Sequence, residues 1–221
     1  MGRTAGRSPG DTRRALLDAA GEAIRTRGVN ATLDDIARHA GVSKGGLIYH
    51  FASKDELILE LARDLLAAFR AEIESRLDPA DHEPGRLTRA YVRAGLAPAE
   101  DEITTRRTVA LVTQLMTIPA VAELVSADTE QLIAELRADG LPIDVLTVVT
   151  AAADGMSSAP LWGAAGLGPE FRQLERRLIT LTRHPELWQQ LPWGDEDEEG
   201  PAVSRSSPST PRVGANGALT A

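Results

Sequence analysis

The chain contains no cysteine, which excludes disulfides, thiolate metal sites and thiol nucleophiles and is compatible with a reducing compartment. The expected location is the cytoplasm. No apolar run approaches the roughly 18 residues that cross a bilayer, and the basic N-terminal residues lack an apolar signal core, so neither a membrane span nor export is expected. The four histidines, His39, His50, His82 and His184, are scattered, which speaks against a histidine metal site. Also missing are a P-loop, G-x-G-x-x-G after a strand, H-E-x-x-H and G-x-S-x-G. The glycine-rich stretch at 163–168 reads as a bend before Pro169. No enzyme, metal or cofactor is expected, and no period-two pattern signals a strand.

A 43% hydrophobic share over 221 residues suffices for one medium domain or two small ones. The net charge of −8 is a poor match to nucleic acid, whose phosphates need cations. Its distribution changes that reading. Residues 1–54 hold nine Lys/Arg against five Asp/Glu, or +4, leaving fifteen against twenty-seven, or −12, for the remainder. A basic head on an acidic body lets one end approach DNA while the other is repelled.

After a basic arm at 1–10, helical periodicity predicts a first helix over 12–27, with Leu16, Ala20, Ala23 and Ile24 on one face and Gly28 beyond its last turn. Thr32 opens a second helix, with Asp35 completing a capping box and Leu33, Ile36, Ala37 and Ala40 apolar. Gly41 stops it. Ser43 caps a third helix over 44–51, leaving a two-residue turn. Ser53 and Glu56 form another capping box, before a fourth helix over 54–77. The expected units are a head at 11–56, this linking helix, a body at 78–192 and an acidic, Pro/Ser/Gly-rich tail at 193–221 that cannot bury enough surface to order. Five body helices are expected, over 86–97, 101–116, 120–138, 143–165 and 170–182. About nine helices make an all-α chain. The apolar run at 145–156 and the stripe Phe171, Leu174, Leu178 and Leu181 are candidates for contact between subunits.

Two short helices with a minimal turn form a helix-turn-helix, whose second helix enters the major groove. Here that helix opens Lys44-Gly45-Gly46. Two glycines weaken a helix start, so something else favours them, and close approach to DNA is one physical reason. Leu47 and Phe51, four apart, should face inward, leaving Tyr49 and His50 toward phosphates. Lys54 follows the Ser53 cap, where its ammonium and the free N–H groups of the fourth helix would converge on one phosphate, and Thr32 offers the same at the second helix.

The segment from Thr32-Leu-Asp-Asp-Ile-Ala-Arg-His-Ala-Gly-Val-Ser-Lys-Gly-Gly-Leu-Ile-Tyr-His-Phe51 through Ala-Ser-Lys-Asp-Glu-Leu57 resembles the TetR/AcrR family signature. The resemblance covers about a quarter of the chain. It implies an all-helical homodimer whose three N-terminal helices form the DNA-binding domain, joined to a helical body that binds a small molecule and dimerises. By position, Thr32, Tyr49, His50 and Lys54 are similar to the family's phosphate contacts, and Ser43, Lys44 and Gly45 to its base-proximal residues. The family often has Tyr at the place of Ile48 and Thr or Ser at that of Gly46. Gly46 is retained as a DNA-facing candidate on its place in the helix. Asp154-Gly-Met and Leu161-Trp-Gly163 resemble the penultimate helix of many members.

Implied partners are a double-stranded operator with palindromic half-sites, a second copy of the chain and a small apolar or amphipathic ligand, with no membrane. Large apolar groups with an occasional hydroxyl suit a ligand cavity, which nominates Tyr91, Thr108, Leu111, Val112, Leu115, Met116, Met156 and Trp162. The expected function is a repressor released by its ligand, with the fourth helix as lever. Two alternatives stand beside it: a DNA-binding dimer whose body senses a protein or nothing, and an enzyme, disfavoured by the absent motifs.

Overall fold

The computed structural model describes residues 8–97, 102–159 and 169–191. Among these residues the regular structure is helical throughout, in agreement with the all-α expectation. Capping chemistry explains where the helices begin. Ser8 accepts from Asp11 N and Asp11 accepts from Ser8 N, a capping box that with Pro9 at the first position starts α1 (Pro9–Arg27) three residues earlier than periodicity alone indicates. Thr32 and Asp35 box the start of α2 (Leu33–Ala40), and Ser43 caps α3 (Lys44–His50).

Ser53 caps α4 (Lys54–Ser75) by accepting from Glu56 N. The expected reciprocal half of that box is replaced: Glu56 Oε2 accepts instead from Ala52 N at 2.8 Å. The body follows as α5 (Arg86–Gly95), α6 (Glu102–Leu115), α7 (Pro119–Arg137), α8 (Ile143–Ser157) and α9 (Pro169–Arg183). A single-turn α10 (Glu186–Gln189), unforeseen in the periodicity, comes after. Helix α8 stops well short of the expected end at 165, where the hydroxyls of Ser157 and Ser158 both donate to the Asp154 carbonyl. The tail, Trp162 and the Phe171 side chain lie outside the described residues.

Two apolar cores share α4. Leu16, Ala20, Ala23 and Ile24 of α1, all with no exposed surface, meet Ile36, Leu47, Phe51 and Leu57, and the cluster is completed by Leu111 and Leu115 of α6 and Val121 of α7. The contact with α6 is close because Gly21 leaves a notch in α1; a Cβ there would lie 3.4 Å from Leu111 Cδ2. The second core joins Ile73 of α4 to Tyr91 and Val92, Leu132 and Leu136, Val145, Leu146 and Val149, and Leu178. At about 1.5 Å per residue, the 22 residues of α4 extend roughly 33 Å, which lets one helix serve both cores.

The turn before α5 is held by polar groups. Its cap, Gly85, has no side chain and a φ of +83°, so the Asp139 carboxylate, from beyond the end of α7, accepts from Leu87 N, Thr88 N and Thr88 Oγ1. A Cβ at Gly85 would lie 2.9 Å from Arg89 Nη1 and from Leu141. Arg89 itself is fully buried. Its Nε and Nη2 donate to the two oxygens of buried Asp81, each at 2.6 Å, and its remaining N–H groups reach Pro84 O, Glu83 O and Thr182 Oγ1. A guanidinium with every donor met can be buried where an unmatched one could not.

Candidate nucleic-acid interface

The turn between α2 and α3 depends on Gly41, at φ +70° and ψ +28°, where the left-handed conformation is cheapest for glycine. Its N–H donates to Arg38 O and that of Val42 to Ala37 O, closing α2 within two residues. Leu47 and Phe51, four residues apart, are both fully buried and fix α3 on the first core, as the spacing predicts. The Arg13 guanidinium lies 4.4 Å from the Phe51 ring centroid, donates to His50 O at 3.4 Å and pairs with Glu60. Sequence reasoning passed over Arg13, whose role shows no local pattern because its partners are 37 to 47 residues away.

With its inner face anchored, α3 turns the others outward. Tyr49 is 85% exposed and meets His50 edge to face at 5.3 Å, and Ile48 beside them is also exposed. The two glycines differ. A Cβ at Gly45 would meet nothing closer than Ser43 Oγ at 4.0 Å, so nothing within the fold requires its absence. At Gly46 the same hydroxyl would be 3.3 Å away, and it already accepts from Gly46 N. Gly46 therefore has an internal reason as well.

Around this helix the charged groups are bound to one another. Asp35, buried at the start of α2, accepts from Thr32 N and Thr32 Oγ1 and from Arg27 at 2.7 Å and Arg38 at 3.3 Å. The Thr32 hydroxyl, then its N–H, then the two guanidinium groups hold the Asp35 carboxyl down to about 2. His39 donates from Nδ1 to Asp35 O. Lys44 Nζ lies 3.0 Å from Asp34 Oδ2. The expected convergence of Lys54 with the N–H groups of α4 is not seen: its half-buried ammonium turns to Val29 O at 2.6 Å, satisfying a carbonyl of the 3-10 turn Gly28–Asn30. Arg14 and Arg25 pair with Asp18, Asp64 and Glu22. Every Lys and Arg among the described residues of the head thus has an internal partner. Lys44 and Lys54 are the only lysines in the chain.

The residues nominated for a ligand cavity separate. Leu111 and Leu115 are buried in the first core, while Val112 and Thr108 are exposed on the same helix and Met116 is exposed just past its end. A period of 3.6 turns position 112 away from the stripe that holds 111 and 115, while 108 shares that stripe but is exposed nearer the start of the helix, distinctions that a selection by residue type ignores. Tyr91 and Met156 do belong together, at the second core. The Tyr91 hydroxyl donates to Asp154 Oδ1, its ring meets Phe69 edge to face at 6.0 Å, and burial followed by the Asp154 carboxylate pushes its phenol up. A separate apolar groove of about 370 Å³, between α9 and α10, is lined by Leu181, Leu187, Trp188 and Leu191 with Arg177 and Thr180.

Comparison with known proteins gives two family matches that follow one another along the chain, separated by residues 62–84. Residues 16–61 match bacterial regulatory proteins of the tetR family, and residues 85–183 match the tetracyclin repressor-like C-terminal domain. The HTH-type transcriptional regulator BetI of Agrobacterium fabrum is 44% identical over 66 residues, 29% of this chain and 32% of that protein. The chain thus spans about a third of the length of this relative. A transcriptional regulator from Rhodococcus sp. RHA1 shares the fold with a TM-score of 0.61 at 22% identity, covering 78% of this chain and 96% of that one. One from Saccharomonospora viridis, solved in complex with choline, has a TM-score of 0.58 at 22% identity over 79% and 97% of the two chains. The head, with its short turn and outward Tyr49, and the body built on α5 to α9 are accounted for by one assignment: the chain belongs to the TetR family of bacterial regulatory proteins.

Proposed function

We infer that this chain is a transcriptional repressor that binds an operator through α2 and α3 as a homodimer and is released when a small molecule occupies the body. The observation that carries the reading is the surface of α3: Tyr49 stands 85% exposed and Gly45 is open on a helix whose opposite face is fully buried. An aromatic hydroxyl and a bare backbone held on a rigid support suit phosphate contact and close approach to a groove. In this reading Tyr49 and His50 contact phosphates, Thr32 sets the start of α2 toward one while its own hydroxyl and N–H stay on Asp35, and Ser43, Lys44, Gly45 and Gly46 face the bases. Lys54 acts by fixing α4 to Val29 as well as by its charge. The test is fluorescence anisotropy with duplexes from upstream of the chain's own gene. Tyr49→Ala should weaken binding about tenfold, uniformly across sequences. Unchanged affinity at several salt concentrations would remove Tyr49 from the interface.

Dimerisation is inferred from α8 and α9. Ile143 is exposed and Leu174 and Leu181 are half-buried in the single chain, and two recognition helices must be spaced to enter successive grooves. A ligand that favours another spacing then weakens binding. The choline complex of the structural neighbour supports a small-molecule ligand, for which Tyr91 and Met156, with Phe69, are the remaining candidates. Binding to chromosomal DNA places the protein in the cytoplasm; among the described residues no single helix is long and apolar enough to cross a membrane.

A further inference from the structure

Asp34 sits oddly on a surface meant for phosphates. It is a carboxylate in the first turn of α2, 58% exposed, and it points to Lys44, itself 53% exposed and the first residue of α3. Asp34 is not needed to cap α2, since Thr32 and Asp35 do that between them. Nor does burial explain the pair: an exposed ion pair is worth little to stability and is screened by salt. The contact does decide where the ammonium of α3's one lysine goes, and it cancels that charge. A head selected for phosphate affinity would leave Lys44 free and omit Asp34.

We propose that Asp34 and Lys44 act as one unit that reads a G·C base pair in the major groove. The inference rests on α2 and α3 being the DNA-binding elements. A G·C pair presents two acceptors, guanine N7 and O6, beside a donor, the cytosine N4 amino group. The Asp34–Lys44 pair is the complement: after their mutual contact the ammonium keeps two N–H donors and the carboxylate keeps its other oxygen. The first residues of the second helix in a helix-turn-helix are those that reach base edges, which is where Lys44 stands. Asp34 then rejects T·A or A·T at that step, since neither offers the same order of donors and acceptors. It also repels misplaced phosphates, so Asp34 is a specificity-determining residue and Lys44 is kept from acting as a general anchor.

The test is selection from a duplex library randomised over the half-sites, followed by affinity measurements over a salt series on wild type, Asp34→Ala, Lys44→Ala and the double variant. Wild type should require G·C at one position of each half-site, with about tenfold loss on exchange to A·T. Asp34→Ala and Lys44→Ala should both relax that same position to less than about threefold, with the double variant no more relaxed than either. Freed from its partner, Lys44 in Asp34→Ala should steepen the slope of log affinity against log salt by about 0.9, and the steepening should vanish when Lys44→Ala is added. Relaxation at different positions, or steepening that persists without Lys44, overturns the proposal. If wild type binds no duplex at all, the reading of the head as DNA-binding falls with it, whereas binding with an intact G·C requirement in Asp34→Ala sinks the pairing alone. Asp34→Asn, which keeps the shape of the side chain, and a melting curve for each variant distinguish lost recognition from lost folding.

Discussion

Asp35 and Asp81 serve the two halves of the molecule in the same way, as carboxylates held near 2 against an ordinary value of 3.8, Asp35 chiefly by Thr32 and Asp81 chiefly by Arg89. A depressed folded value means that the stabilisation is complete above the unfolded pKa and is lost as pH falls toward the folded one. Unfolding midpoints in urea should therefore decline between about pH 4 and pH 2, and Asp35→Asn should flatten that decline because the group it removes no longer takes up a proton. Arg89 makes a sharper case. Arg89→Met leaves buried Asp81 with only the more distant Arg183 Nη2 at 3.4 Å and Glu83 N at 3.3 Å, a loss toward the lower end of about 3–5 kcal/mol, whereas the double variant with Asp81→Leu should regain most of it. Chemical denaturation of Arg89→Met, Asp81→Leu and the double variant decides whether the pair contributes attraction or only mutual cancellation. Gly85→Ala should cost more than about 1 kcal/mol, since it combines a positive φ with a Cβ at 2.9 Å from Arg89 and Leu141.

At the scale of elements, α3 depends on tertiary support. Seven residues that begin Lys-Gly-Gly would not hold a helix in isolation, so its geometry rests on Leu47 and Phe51. Leu47→Ala should destabilise by about 2–5 kcal/mol and weaken DNA binding in proportion to unfolding, which thermal melts and anisotropy together can separate from a contact effect. Much of the head was legible beforehand because its signals are local: Thr32 with Asp35, Ser43, Gly41 and the 47/51 spacing each lie within one turn. The Ser8-Pro-Gly-Asp11 cap was equally local and shows how α1 could have been placed three residues earlier. What stayed hidden was long-range. The partners of Arg13, Lys44 and Lys54 are 10 to 47 residues away and those of Arg89 run from Pro84, 5 away, to Thr182, 93 away, and no periodicity encodes them. In the body, choosing bulky apolar residues found core positions and surface positions of α6 alike, because composition carries no information on which way a helix faces.

On the scale of the whole molecule, the first core does not close within the head. Leu111, Leu115 and Val121 supply part of it, so a fragment ending after α4 should melt well below the full chain or fail to melt cooperatively, as circular dichroism would show. The same contact gives α6 a direct hold on α1 through the notch at Gly21. Cations are divided just as unevenly: arginine serves the body throughout, and lysine occurs at positions 44 and 54 alone. Amine-directed reagents therefore have, apart from the α-amino group, addresses in one end of the protein only. A fluorophore or cross-linker of that chemistry would mark the head without touching the body, and Lys44→Arg would leave Lys54 as the single side-chain attachment point beside the turn that joins α1 to α2.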